Sequence, residues 1–167
     1  MRCFSLIGLA LAVAAAGHAA PAPRLAISSF AQLAQPLPLP YNEAANAKLA
    51  VKQAQAKALR EHKLLLIDLG GNWCGDCRVL AGTIEQPELS AFVARHYVVV
   101  TVDVGRFDRN LDIPAHYGLG RPAGVPSLLV VDPQTDHLLN AGHTEALADA
   151  RSLSPQALAD WLARWTK

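Results

Sequence analysis

Leu64-Leu65-Leu66-Ile67-Asp68-Leu69, followed after Gly70-Gly71-Asn72 by Trp73-Cys74-Gly75-Asp76-Cys77, is the stretch that decides how this chain reads. Six residues of almost unbroken apolar character have the length and composition of a buried β-strand. The segment from Cys74 to Ile84 then reads as a helix. A Cys-x-x-Cys pair between a strand and a helix N-terminus is the arrangement of dithiol redox chemistry. The helix end offers unpaired N–H groups and partial positive charge, both of which stabilise a thiolate. A thiolate is the species that attacks a disulfide.

Position along the helix separates the two sulfurs. Cys74, at the helix start, is expected to be the exposed nucleophile, and Cys77, one turn later, the more buried resolving thiol. A static structural bridge is the competing explanation. Closing so short a loop stabilises little in the loop-entropy picture, so redox chemistry is the better reason for the pair. Asp68 interrupts the apolar strand. Alternation along a strand turns its side chain away from Ile67 and Leu69, toward the face that the Cys74–Ile84 helix covers. Burial there raises a carboxyl pKa, and a proton acceptor beside Cys77 would assist its attack. Gly75 and Asp76 lie between the cysteines, where they tune the couple. The Asp76 charge suits the helix dipole and opposes a neighbouring thiolate, which pushes the couple toward the reducing side.

Working outward, Ala47, Val51, Ala54 and Ala58 fall at helical spacing, with Asn42 as the expected cap. Pro87 interrupts the helix after the cysteines, and Leu89, Phe92 and Val93 share a face in the turns that follow. Tyr97–Val104 is a β-branched strand. Residues 105–124 form a long polar connection, readable equally as a determinant of substrate choice or as a surface loop. Ser127–Val131 is a further strand closed by Asp132-Pro133, with His137–Ala141 as its partner. Ser154 caps a final helix with Pro155 in its first position, and Leu158, Trp161, Leu162 and Trp165 make its apolar stripe.

The N-terminal part has a different character. Arg2, the apolar run Phe4–Ala16 and the small residues Gly17-His18-Ala19 read as a signal peptide over residues 1–19, which removes Cys3 with the leader. The expected location is the periplasm or the exterior. Prolines 21, 23, 36, 38 and 40 make residues 20–41 an expected linker of partly polyproline character. Residues 42–167 then form one domain. Loss of Arg2 with the leader takes the 15 basic residues to 14 against 14 acidic ones. That balance argues against nucleic-acid partners and against electrostatic binding to a membrane surface. No later run is long enough to span a bilayer.

Gly124-Val125-Pro126-Ser127 is a second constellation, with proline placed at a strand start. With it, the chain resembles the thioredoxin superfamily, in particular its secreted bacterial thioredoxin-like members, from about Asn42 to Trp165. Trp73-Cys74-Gly75-Asp76-Cys77 matches the family's Trp-Cys-Gly-x-Cys site. Asp68 stands at the spacing of its buried acid, and Gly124–Ser127 matches its Gly-(Ile/Val)-Pro-(Thr/Ser) loop. The resemblance implies an α/β fold with a central mixed sheet flanked by helices. It also implies a redox-active disulfide, and a cis Pro126 that faces the dithiol and, with Trp73 and Val125, meets substrate. Asp76 departs from the proline usual between the cysteines, Pro87 breaks the helix early, and the 105–124 connection is long.

The function expected is thiol–disulfide exchange on disulfide-containing proteins, as a reductase or isomerase, with no cofactor and no metal. An oxidising compartment would not regenerate the dithiol, so a membrane electron donor is implied. Two alternatives remain at this point: a copper-binding assembly factor on the same fold, and a non-catalytic binding module. Against the first, the six histidines show no ligand spacing to one another.

Overall fold

Every residue of strand β1 (Leu64–Gly70) is buried, so both of its faces are covered. That is why the strand reads as a continuous apolar run rather than an alternating one. The computed structural model describes residues 19–166, so the expected signal peptide lies almost wholly outside the described residues. β1 is central in a four-stranded sheet of order β2-β1-β3-β4, with β2 Tyr97–Asp103, β3 Ser127–Asp132 and β4 His137–Leu138. It pairs parallel to β2 and antiparallel to β3, and β3 pairs antiparallel to β4. The sheet is mixed, as expected.

The parallel β1–β2 pair requires a crossover, which is made by α2 (Gly75–Ile84) and α3 (Pro87–His96). Pro87 therefore starts a helix, in the first-turn position where its missing N–H costs nothing. On that face Leu64, Leu66, Leu128 and Val130 pack with Leu80, Leu89, Phe92 and Val93, and with Leu158 and Leu162 of the C-terminal helix α5 (Pro155–Arg164). On the other face Leu65, Ile67, Leu69, Val98, Leu129 and Val131 pack under Ala47, Val51, Ala54 and Ala58 of α1 (Ala47–Glu61). Short helix α4 (Asp112–His116) lies within the 105–124 connection.

Three expectations change. The cap of α1 is Asn46, whose side chain accepts the Leu49 N–H; Asn42 instead closes a preceding turn through Ala44 N and Ala45 N. β4 ends at Leu138 because the buried Asn140 side chain takes over the pairing, accepting from Val130 N at 2.9 Å and donating to Leu128 O at 2.8 Å.

The third change concerns residues 20–41, expected as a linker. They lie against the domain. Ala20, Ala22, Leu25 and Phe30 pack on the α5 side of the core, and Leu33 and Tyr41 are buried. A 3₁₀ turn at Phe30–Gln32 is closed by a capping box between Ser29 and Gln32. The prolines do exclude α-helix here, but an extended chain can still bury alternate side chains and lend its carbonyls. Arg78 of α2 donates to the carbonyls of Leu37 and Pro38, and Thr101 of β2 donates to that of Pro40.

Candidate active site

The site is built where β1 ends and α2 begins. Cys74 is the N-cap of α2, and its sulfur accepts the Cys77 N–H at 3.1 Å, so a thiol fills the role usually taken by a hydroxyl or carboxylate. The Cys74 thiol also donates to the Val125 carbonyl at 3.4 Å. The Val125–Pro126 peptide bond is cis, and both residues are buried beside the dithiol. The two cysteines are unbridged.

Both sulfurs are covered. Cys77 is fully buried, and Cys74, expected to be exposed, is only 5% exposed because the Val125 loop closes over it. The difference between them lies in charge preference. The Cys74 thiol is lowered to about 7, chiefly by the hydrogen bond from the Cys77 thiol, against opposition from burial, with help from the Cys77 N–H. Cys77 is raised, first by donating its proton to Cys74 and then by burial. Cys74 is thus the thiol that ionises first, and Cys77 the one that keeps its proton.

Trp73 is the exposed member, 42% exposed, with its indole N–H donating to the Gly105 carbonyl at 2.8 Å. The Arg106 guanidinium lies 4.2 Å over the indole, and Phe107 meets it edge-on at 6.0 Å. The start of the 105–124 connection thereby forms one wall beside the dithiol.

Asp68 is buried, and burial pushes its carboxyl up to about 7, partly offset by a hydrogen bond from the Tyr41 hydroxyl at 2.9 Å. Asp76 stands in the first turn of α2. It is not a free surface charge: it is 8% exposed and held by Arg151 in a planar fork, Nε to Oδ1 at 3.0 Å and Nη2 to Oδ2 at 2.9 Å. The Arg151 backbone N–H adds a third bond at 2.8 Å. Burial opposes the Asp76 charge, but these bonds together keep its carboxyl below its ordinary value. The guanidinium also lies over Gly75, 3.3 Å from where a Cβ would stand.

The structure therefore brings together Asp68, Cys74, Asp76, Cys77, Val125 and Pro126, with Trp73 at the rim and Gly75 under Arg151. Tyr41 and Arg151 were not legible. Neither sits in a periodic pattern, and they reach the site from positions 27 residues before Asp68 and 75 residues after Asp76. Among the described residues, no group of three or more His, Cys, Asp and Glu side chains is placed to hold a metal ion. Among them also, no helix is long and apolar enough to cross a membrane.

A family model described as thioredoxin-like matches residues 45–133. The crystal structure of a disulphide isomerase from Xylella fastidiosa Temecula1 is 39% identical and superposes with a TM-score of 0.70, covering 77% of this chain and 97% of that one. Thioredoxin-2 of Pyricularia oryzae is 46% identical over 46 residues, 28% of this chain. That match spans 26% of the relative's length.

Proposed function

This chain belongs to the thioredoxin-like family, and on that footing we propose that it is a thiol–disulfide oxidoreductase that reduces or isomerises disulfides in exported proteins. The observation that carries the reading is the pairing of one acidified and one proton-holding thiol at the N-terminus of α2, under the Val125 carbonyl. The Cys74 thiolate attacks a substrate disulfide and displaces one substrate thiolate, leaving a mixed disulfide. Cys77 loses its proton and attacks the Cys74 sulfur, the second substrate thiolate departs, and Cys74–Cys77 is left oxidised as the substrate is reduced by two electrons. In isomerisation the substrate's own thiol resolves the mixed disulfide and the dithiol is recovered.

The acidity of Cys74 supports the reducing direction. A thioredoxin nucleophile titrates near ~7 and that of a strong periplasmic oxidant near ~3.5, and Cys74 lies with the former. The Asp76 charge favours the same direction by opposing the Cys74 thiolate. Arg151 neutralises much of that charge, so the inference now rests on the thiol itself. The leader expected at residues 1–19 supports a periplasmic location, where a membrane electron donor would re-reduce Cys74–Cys77. Trp73, Val125 and Pro126 would meet the substrate chain.

Single-cysteine variants test the assignment. Cys77→Ser should accumulate mixed disulfides with protein substrates on non-reducing gels, and Cys74→Ser should accumulate none. Trapping by the Cys74→Ser protein instead would reverse the roles and remove the reading built on them.

A further inference from the structure

Asp68 has no hydrogen bond to Cys77; among the described residues its carboxylate is bonded by Tyr41. The Tyr41 hydroxyl and the Cys77 sulfur also converge over Gly70. Gly70 leaves room for this meeting: a Cβ there would stand 2.8 Å from Cys77 Sγ and closer still to the Tyr41 hydroxyl. Three hydrogen bonds fix the backbone at Tyr41. Tyr41 N donates to Asn72 Oδ1 at 3.1 Å, Asn72 Nδ2 donates back to Tyr41 O at 2.8 Å, and the preceding carbonyl, of Pro40, accepts from Thr101 at 2.9 Å. A tyrosine so fixed, buried between an acid and a thiol, does more than fill space.

We propose that Tyr41 is the proton relay of the resolving step, its hydroxyl taking the Cys77 proton while passing its own to the Asp68 carboxylate. The inference rests on the oxidoreductase reading above. As the Cys77 sulfur forms its bond to Cys74 and the substrate thiolate leaves with the electron pair of the broken S–S bond, the Cys77 proton moves to Tyr41 Oη. The Tyr41 proton moves to Asp68 Oδ1, and the phenol is left neutral. Reversal of the two transfers returns the proton when the couple is reduced. The groups around the relay suit this traffic. Cys74 and Cys77 are the titratable side chains facing it from α2, while β2 and β3 present uncharged Thr101 and Leu128 opposite Asp68. Burial keeps the Tyr41 hydroxyl protonated, so it carries protons without holding a charge, and the Asp68 acceptor is poised near neutrality.

The reduced protein and an aromatic disulfide, 5,5′-dithiobis(2-nitrobenzoate), give a direct test by stopped flow. Attack by Cys74 releases one coloured thiolate, and attack by Cys77 on the resulting mixed disulfide releases the second. Neither leaving group needs a proton, so the second phase reports proton loss from Cys77. In Tyr41→Phe the first phase should be unchanged and the second slowed at least tenfold, toward the ~100-fold that a positioned proton acceptor supplies. Its pH profile should lose the step near neutrality. Asp68→Asn should slow the same phase, and the double variant should be no slower than the slower single one. In the unsubstituted protein, a curved dependence of the second phase on heavy-water content is expected for two protons in motion. A second phase of unchanged rate and pH profile in Tyr41→Phe, or a linear heavy-water dependence, overturns the relay. Absence of both phases in the unsubstituted protein would instead remove the oxidoreductase reading itself.

Discussion

Replacing Asp68 by Asn removes a carboxyl that the fold holds protonated where the unfolded chain would release its proton. Its value is raised from an ordinary 3.8 to about 7 by burial. Below ~pH 4 both states are protonated and the group is neutral in the balance; stability falls as pH rises through the interval, and above ~pH 7 the full penalty stands. The shift corresponds to on the order of 4 kcal/mol. Asn keeps an acceptor for the Tyr41 hydroxyl, so Asp68→Asn should be more stable than the parent at pH 7.5, by up to that amount, with the advantage gone near pH 4. Urea unfolding at the two pH values measures this, and an equal difference at both would show that Asp68 does not titrate in the interval. Arg151 acts on the other thiol. The Asp76 charge opposes the Cys74 thiolate, and Arg151 sits on that charge. Arg151→Met should therefore raise the pH midpoint of Cys74 alkylation, while Asp76→Asn should lower it. Midpoints that coincide in all three proteins would leave the fork a purely structural contact. Tyr41 and Arg151 are the members of this site that residue types did not reveal. A thiol pair at a helix start and an acid in an apolar run announce themselves locally, whereas the partners that set their charge arrive through the fold.

At the scale of elements, what could be read was what repeats. β1, β2, β3, α1 and α5 each bury a stripe or a whole strand, so their periods predict them. β4 is short for a reason no period records, because the Asn140 amide imitates two backbone groups. The segment at residues 20–41 failed the same way. Its prolines announce extended chain correctly, but extension is equally compatible with a free tether and with a docked strap. Leu33, Leu37 and Pro38 lie against α2 over Gly82, within 3.3–3.5 Å of where a Cβ would stand. Leu33→Ala should then cost about 2–5 kcal/mol, as truncation of a buried leucine does, seen as a lowered urea midpoint. A tether would give no change.

At the scale of the molecule, the strap joins parts of the chain that are far apart in sequence. Ala20 N donates to Thr166 Oγ1 at 2.7 Å, and Leu25 and Pro23 exchange hydrogen bonds with Gln156 of α5. These contacts span 146, 131 and 133 residues. They impose an order in time. A chain made from its N-terminus presents residues 20–25 first, when the surface they will occupy has not been synthesised. Closing a loop of that length from the open chain costs about 4 kcal/mol beyond a fixed term, which a few hydrogen bonds do not offset. Only once the sheet has drawn α5 into place is the remaining closure short. The first residues of the folded part to be made are the last to find their seats.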